Sequence, residues 1–364
     1  MASSIGQRLR LSIFGESHGE AIGCVLDGLP AGYAVDMDAV LVQMARRAPG
    51  RDKTATPRRE SDQPRVLSGL LDGRTTGAPL CMVIQNENQH SGDYQNILSC
   101  PRPGHADYTG AVRYGGFNDV RGGGHFSGRL TAPLVFAGAV CRQILRQQGI
   151  VIGGHIAAIA GVEDTPLDPV AVTAAQLDAL AAQSFALVDP SVEPAMRDAV
   201  EAARLDGDSV GGVIEAAAVG LPAGWGSPMF DGIENRLAPI LFGIPAVKGV
   251  EFGDGFGLAT MRGSAANDCW RYTPDGRVVT AQNHNGGILG GITNGMPLTV
   301  RVAIKPTPSI GREQDSIDLT TKQNTRMVVK GRHDPCIVPR ALPVVEAALA
   351  VGLLDICQTE TGVR

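Results

Sequence analysis

The 364-residue sequence predicts an α+β fold in which two antiparallel sheets have helices packed between or against them. The main observation is an internal repeat. "GEAIGCVLDGLPAG" at 19–32 returns as "GGVIEAAAVGLPAG" at 211–224, and "GLLDGRTTGAPL" at 69–80 returns, in the same order, as "GILGGITNGMPL" at 287–298. The strand-like runs are also grouped as hairpins, which favours antiparallel sheets over a doubly wound parallel one. Glycine is abundant, 47 residues where an average chain has about 7%, and so many glycines imply tight turns or backbone close to a ligand.

The elements follow in order. Ala21, Ile22, Cys24, Val25 and Leu26 read as a buried strand, which "GLPAG" turns outward. A helix-like segment opened by an Asp comes next, at Asp36 in the first copy and Asp231 in the second. Each copy then carries a hairpin whose second strand is "PLCMVI" or "PLTVRVAI". In 121–149, Leu134, Ala137, Cys141, Ile144 and Leu145 recur at helical spacing, with Arg142, Gln143, Arg146 and Gln147 expected towards solvent. Pro133 suits a first helical turn and Gly149 a stop. A last helix includes "LPVVEAALAVGLL". The expected organisation is a single domain, 1–364, with repeat halves at about 15–84 and 207–304 and active-site segments at 85–150 and 305–340.

Composition excludes several classes. A net charge of −5 argues against general nucleic-acid binding. No run approaches the ~18 apolar residues of a membrane span, and the N-terminus has no apolar signal core, so no membrane association is expected. The seven cysteines are scattered without a C-x-x-C pair, which predicts reduced thiols and a cytoplasmic protein.

Four stretches carry candidate chemistry. "GESHGEAIGC" puts His18 at the mouth of a buried strand, where the second copy has Val210. The scaffold thus accepts an apolar side chain in that slot, which points to a functional His18. "RRAPGRDKTATPRRE" at 46–60 holds six cations and reads as a loop, either an anion-binding lid or a solvated surface. "GGGHFSGR" delivers amides, Ser127 and Arg129 to a helix N-terminus, an arrangement that attracts phosphate. "RPGHADY" sets His105 beside Arg102 and Asp107, and "KGRHDPC" sets Asp334 beside Arg332 and His333, where it could also cap the helix that follows. No metal-ligand spacing appears, and no metal is expected. Histidines and an aspartate moving protons on a phosphorylated small acid fit these residue types. They do not name a reaction or a cofactor.

"GESHGEAIGCVLDGLP", "RPGHADY", "GGHFSGRLTAPLVFAGAV", "NHNGGILGG" and "GRHDPCIVPRALPVVEAA" resemble, in order and over nearly the whole chain, the signatures of the chorismate synthase family. The resemblance implies a β-α-β sandwich, two antiparallel sheets enclosing helices with a pseudo-twofold repeat, and typically a homotetramer. It implies a carbon–oxygen lyase that eliminates phosphate from 5-enolpyruvylshikimate 3-phosphate to give chorismate, using reduced FMN with no net redox change.

The resemblance also assigns roles. His18 matches the histidine that protonates the reduced flavin, His105 the one that assists the departing phosphate, and Asp334 the aspartate implicated in removing the ring proton. Arg47, Lys53 and Arg129 match substrate-binding positions. The FMN positions are His125, Phe126, Ser127, Pro245, Ala246, Gly290, Lys305, Pro306, Thr307, Pro308, Ser309 and Arg332. Many relatives read RSSARET where this chain has "HFSGRLT", so His125 and Leu130 replace an Arg and a Glu. The chain has no long insertion for its own reductase activity, so an external flavin reductase is expected, with NADPH only the indirect source of electrons. A non-enzymatic flavin- or phosphometabolite-binding protein is the principal alternative, and a metal-dependent phosphohydrolase a second.

Overall fold

The structure, a computed structural model, describes residues 3–50, 62–86, 99–329 and 333–362. The first sheet is built from β1 (Ser4–Ile5), β2 (Arg10–Gly15), β3 (Ala21–Asp27), β4 (Arg65–Ser68) and β7 (Leu80–Gln85). Its order is β1-β2-β3-β7-β4, all antiparallel. A separate small hairpin, β5 (Leu70–Leu71) with β6 (Arg74–Thr75), precedes β7. Helix α1 (Met37–Arg47) lies between β3 and β4 in sequence; α2 (Asp107–Arg113) and α3 (Thr131–Gln147) follow β7.

The second sheet repeats this plan. Its strands are β8 (Val151–Ile159), β9 (Val162–Glu163), β10 (Gly212–Val219), β11 (Val247–Phe252) and β16 (Leu298–Ile304), in the order β11-β16-β10-β8-β9. Helices α4 (Ala174–Ala182) and α5 (Glu193–Leu205) are inserted before β10, and α6 (Ile233–Phe242) takes the place of α1. A short helix α7 (Gly263–Ala266) and the hairpins β12 (Trp270–Tyr272) with β13 (Val278–Thr280) and β14 (Ile288–Leu289) with β15 (Ile292–Thr293) precede β16. After β16 come the hairpin β17 (Gln314–Asp318) with β18 (Gln323–Met327) and the long helix α8 (Val338–Thr361), the counterpart of α3.

Helices fill the space between the sheets. Helix α3 packs on β2, β3 and β7, helix α8 on β8 and β10, and the two helices on each other. Their contact is close because α3 offers Gly138 there: a Cβ at that position would lie 2.3 Å from Ala347 Cα of α8. Helix α8 is buried continuously from Val338 to Gln358, apart from Pro339 and Arg340, as a helix apolar on every side must be. Its length and composition would suit a membrane span (mean hydropathy 1.6), contrary to the expectation that no run approaches that length. The whole apolar window is instead buried inside the fold.

The second strand of each repeat hairpin pairs antiparallel with the strand before it in its sheet, β7 with β4 and β16 with β11, and also with β3 or β10, so that each becomes an interior strand. Three local expectations are corrected. Asp36 caps α1 through Oδ1, but Asp231 lies one residue before the Gly232 N-cap of α6 and accepts a bond from Gln7 Nε2 at 3.1 Å. Arg142 does not face open solvent; its Nη1 donates to Glu346 of α8 at 2.7 Å and its Nη2 to the Ile152 carbonyl. Arg46 is in the last turn of α1 rather than in a loop, and donates to the same fully buried Glu346 at 3.1 Å through Nη2. Burial would raise the Glu346 carboxyl, but the two guanidiniums hold it below the usual carboxylate range. One buried carboxylate thus ties α1, α3 and α8 together.

Candidate active site

The site is assembled from segments at the ends of these elements. The β2–β3 turn brings Ser17 and His18, which is buried (3% exposed). Ser17 Oγ donates to the Arg121 and Gly122 carbonyls at 3.1 Å, lies 3.2 Å from His18 Nδ1, and the Ser17 amide donates to the Gly124 carbonyl. The three glycines, Gly122, Gly123 and Gly124, all have left-handed backbone. They let the main chain lie directly on the two histidines. A Cβ on Gly122 would be 2.1 Å from the His18 ring, and a Cβ on Gly123 would be 3.2 Å from His105 Cε1 and Nε2. His18 and His105 therefore flank consecutive residues of one glycine turn.

His105 is oriented by its neighbours. Asp107 Oδ1 lies 2.6 Å from His105 Nδ1, and Arg102 forks onto the same carboxylate from Nε and Nη2, each at 2.8 Å. Burial opposes the Asp107 charge, but hydrogen bonds from Arg102 and His105 overcome it and hold the carboxyl well below the usual carboxylate range. An ionised Asp107 accepts the Nδ1 proton of His105, which directs Nε2 to the glycine turn.

The contacts continue around the site. Arg102 Nη1 donates to Ser309 Oγ at 3.1 Å, and Thr307 Oγ1 donates to the Asp334 carbonyl at 2.9 Å. Arg340 Nη1 donates to Asp334 Oδ2 at 2.7 Å, and its Nε to the Arg47 carbonyl at 3.1 Å. Arg47 Nη1 pairs with Asp62 Oδ2 at 2.8 Å, and Arg129 pairs with the other Asp62 oxygen. Arg129 Nε reaches Asn86 Oδ1 at 3.3 Å; Asn86 Nδ2 in turn donates to the Glu16 and Gly19 carbonyls, on either side of His18. The circuit closes on itself, with cations and proton carriers distributed around it.

The structure therefore brings together His18, His105, Asp334, Arg47, Arg129, Thr307 and Ser309. Lys305, Pro306, Thr307 and Pro308 line an adjoining cleft of about 300 Å³ together with Gly104 and Ser209. The Lys305 amide donates to the carbonyl of Ala246, which follows Pro245 and has φ 73°. Other expected residues are not members of that circuit of contacts. Gly290 sits in the β14–β15 hairpin, ahead of the Leu298 end of β16, whereas Lys305 follows its Ile304 end. Seven residues at ~3.3 Å each separate the two ends. His125 is exposed between the Gly15 carbonyl and Ser3 Oγ, both at 2.8 Å, and Phe126 packs on Tyr114 and Gly110. Ser127 Oγ accepts from the Arg129 amide in the turn before α3. Lys53 and Arg332 lie outside the described residues, as does the lid stretch beyond Gly50 up to Ser61.

Asp334 does not cap α8, whose N-cap is Ile337 without a side-chain bond. The residues that reading by motif passed over are Asp62, Asn86 and Arg340. Asp62 and Asn86 border polar stretches of sequence, and only the fold brings them to Arg47 and Arg129. Among the described residues, no group of three or more His, Cys, Asp or Glu is placed to hold a metal ion.

The sequence pattern of the family described as chorismate synthase matches residues 9–357. The chain belongs to the chorismate synthase family. A chorismate synthase of Dehalococcoides mccartyi is 45% identical over 356 residues, covering 98% of this chain and 96% of that one. One from Thermococcus kodakarensis is 46% identical over 350 residues, with 96% of each covered. A chorismate synthase crystal structure, 28% identical, matches 98% of this chain and 94% of that one with a TM-score of 0.77. The α+β sandwich expected from the sequence agrees with that match. The chain is accordingly an enzyme of the lyase class, in the shikimate route to aromatic amino acids, and acts on a small molecule. The family uses a reduced flavin. A non-enzymatic binding protein is not favoured.

Proposed function

We propose that this chain catalyses the anti-1,4-elimination of phosphate from 5-enolpyruvylshikimate 3-phosphate, giving chorismate, at the circuit that joins His18, His105 and Asp334. The circuit of contacts is the observation that supports the reading, because it links two histidines, one carboxylate and Arg47 and Arg129. In the reaction the C–O bond to phosphate breaks with its electron pair, a ring C–H is lost as a proton, and a ring double bond forms. His105 donates a proton to the leaving phosphate from Nε2, since Asp107 holds Nδ1. Asp334 accepts the ring proton on its carboxylate, and His18 holds a proton beside the Gly122 turn for exchange with the cofactor. Arg47 and Arg129 meet the substrate's anionic groups, as guanidinium forks suit phosphate and carboxylate.

Reduced FMN fits the residues present: Lys305 lines the cleft with Ser209, Thr307 and Asp208, Ser309 follows the lining residue Pro308, and the Lys305 ammonium suits the anionic phosphate or ring. When bound it supplies transient electron density to the departing phosphate's allylic system. Lys53, Arg332, His125, Phe126, Ser127, Pro245, Ala246 and Gly290 complete the proposed contacts. The enzyme works as a cytoplasmic homotetramer supplied by an external flavin reductase, with NADPH as the indirect electron source. Anaerobic turnover of this substrate with photoreduced FMN tests the proposal. Chorismate is expected only with reduced flavin, and His18→Ala and His105→Ala should each lose ~10²–10⁴-fold while staying folded. Equal turnover without flavin, or activity within a few-fold of the parent in both variants, would overturn it.

A further inference from the structure

Arg340 occupies the first turn of α8, where a cation opposes the helix dipole, so helix stability does not account for it. It is held at a junction instead. Nη1 donates to Asp334 Oδ2 at 2.7 Å while Nε donates to the carbonyl of Arg47, at the last residue of α1. Its side chain is 19% exposed and that of Asp334 18%, so both are partly shielded from water. The guanidinium is rigid and planar, and fixes a carboxylate oxygen more tightly than a flexible ammonium would. One side chain thereby couples the angle of the Asp334 carboxylate to the position of the helix end that presents Arg47.

We propose that Arg340 is a positioning residue that aims Asp334 at the ring proton of the substrate, an inference that rests on the reading of Asp334 as proton acceptor. Removing it takes away a contact that sets the angle of the carboxylate without removing the base. A misplacement near 1 Å costs on the order of 10²-fold in such steps. The test is a cycle of four proteins: parent, Arg340→Met, Asp334→Asn and the double variant, read as kcat with photoreduced FMN and as stability in urea. Arg340→Met is expected to lower kcat by roughly 10²-fold in the parent but by less than about 3-fold in the Asp334→Asn background, because residues acting as a unit are not additive. Arg340→Lys should recover part of the loss; if Arg340→Met does not fold, the lysine variant runs through the same cycle. An equal loss in both backgrounds would make Arg340 a fold residue only and overturn the proposal. Full activity in Asp334→Asn alone would strike the proton role of Asp334 itself, a separate failure, and the positioning role with it.

Discussion

Gly122→Ala should disable the site while leaving the protein folded. The new Cβ would stand 2.1 Å from His18 Nδ1 and Cε1 and 2.8 Å from Ser17 Oγ. Carbon contacts settle near ~3.5 Å, so the imidazole and the turn must part by roughly 1.4 Å. His18 cannot retreat freely, because Ser17 is bonded to the carbonyls of Arg121 and Gly122 and through its amide to Gly124. Gly122 also has φ 59°, and a side chain in left-handed backbone costs about 1–2 kcal/mol. A shift of ~1 Å at a reacting group costs on the order of 10²-fold, so kcat should fall by at least that factor with only modest destabilisation. The assay is anaerobic chorismate formation with photoreduced FMN, beside a urea melt. Gly128→Ala, six residues on in the same loop, is the control, since its Cβ meets nothing within 4 Å. Gly122→Ala turning over within a few-fold of the parent would refute the claim that the glycine turn sets the His18 ring.

Two further outcomes follow from buried charges. Asp107 has a folded pKa below its unfolded value of about 3.9, so its contribution to stability is complete above that pH and disappears as pH falls through the folded value. Asp107→Asn should therefore be less stable than the parent in urea at pH 7, with the gap narrowing at pH 3; an equal gap at both would deny the ionised Asp107. Glu346→Gln leaves Arg46 and Arg142 buried against one neutral amide and should cost about 3–5 kcal/mol by equilibrium unfolding, an effect below 1 kcal/mol counting against the three-helix clamp.

Much of this protein was legible in the chain itself. The GLPAG repeat announces two copies of one unit because each copy needs the same strand exit. The contrast of His18 with Val210 identifies the copy that carries the histidine. Asp36 announces α1 because its cap bonds involve only residues two and three further on. His105, Arg102 and Asp107 are neighbours in sequence, so their network is nearly local. Strand partners were decided elsewhere. β7 and β16 take a second partner, β3 and β10, beyond the strand that precedes each in its repeat, since a sheet interior satisfies the backbone of both edges. The face of Arg142 was decided by Glu346, 204 residues away, whose buried charge requires a partner that helical periodicity does not show. Asp62 and Asn86 join the site through contacts spanning 15 to 70 residues, and Arg340, six residues from Asp334, also reaches the Arg47 carbonyl 293 residues away. The sequence by itself determined the local pieces and their duplication, whose forces act within a few residues; only the tertiary structure decided which charges meet, because burial, which makes those meetings obligatory, is a property of the whole fold.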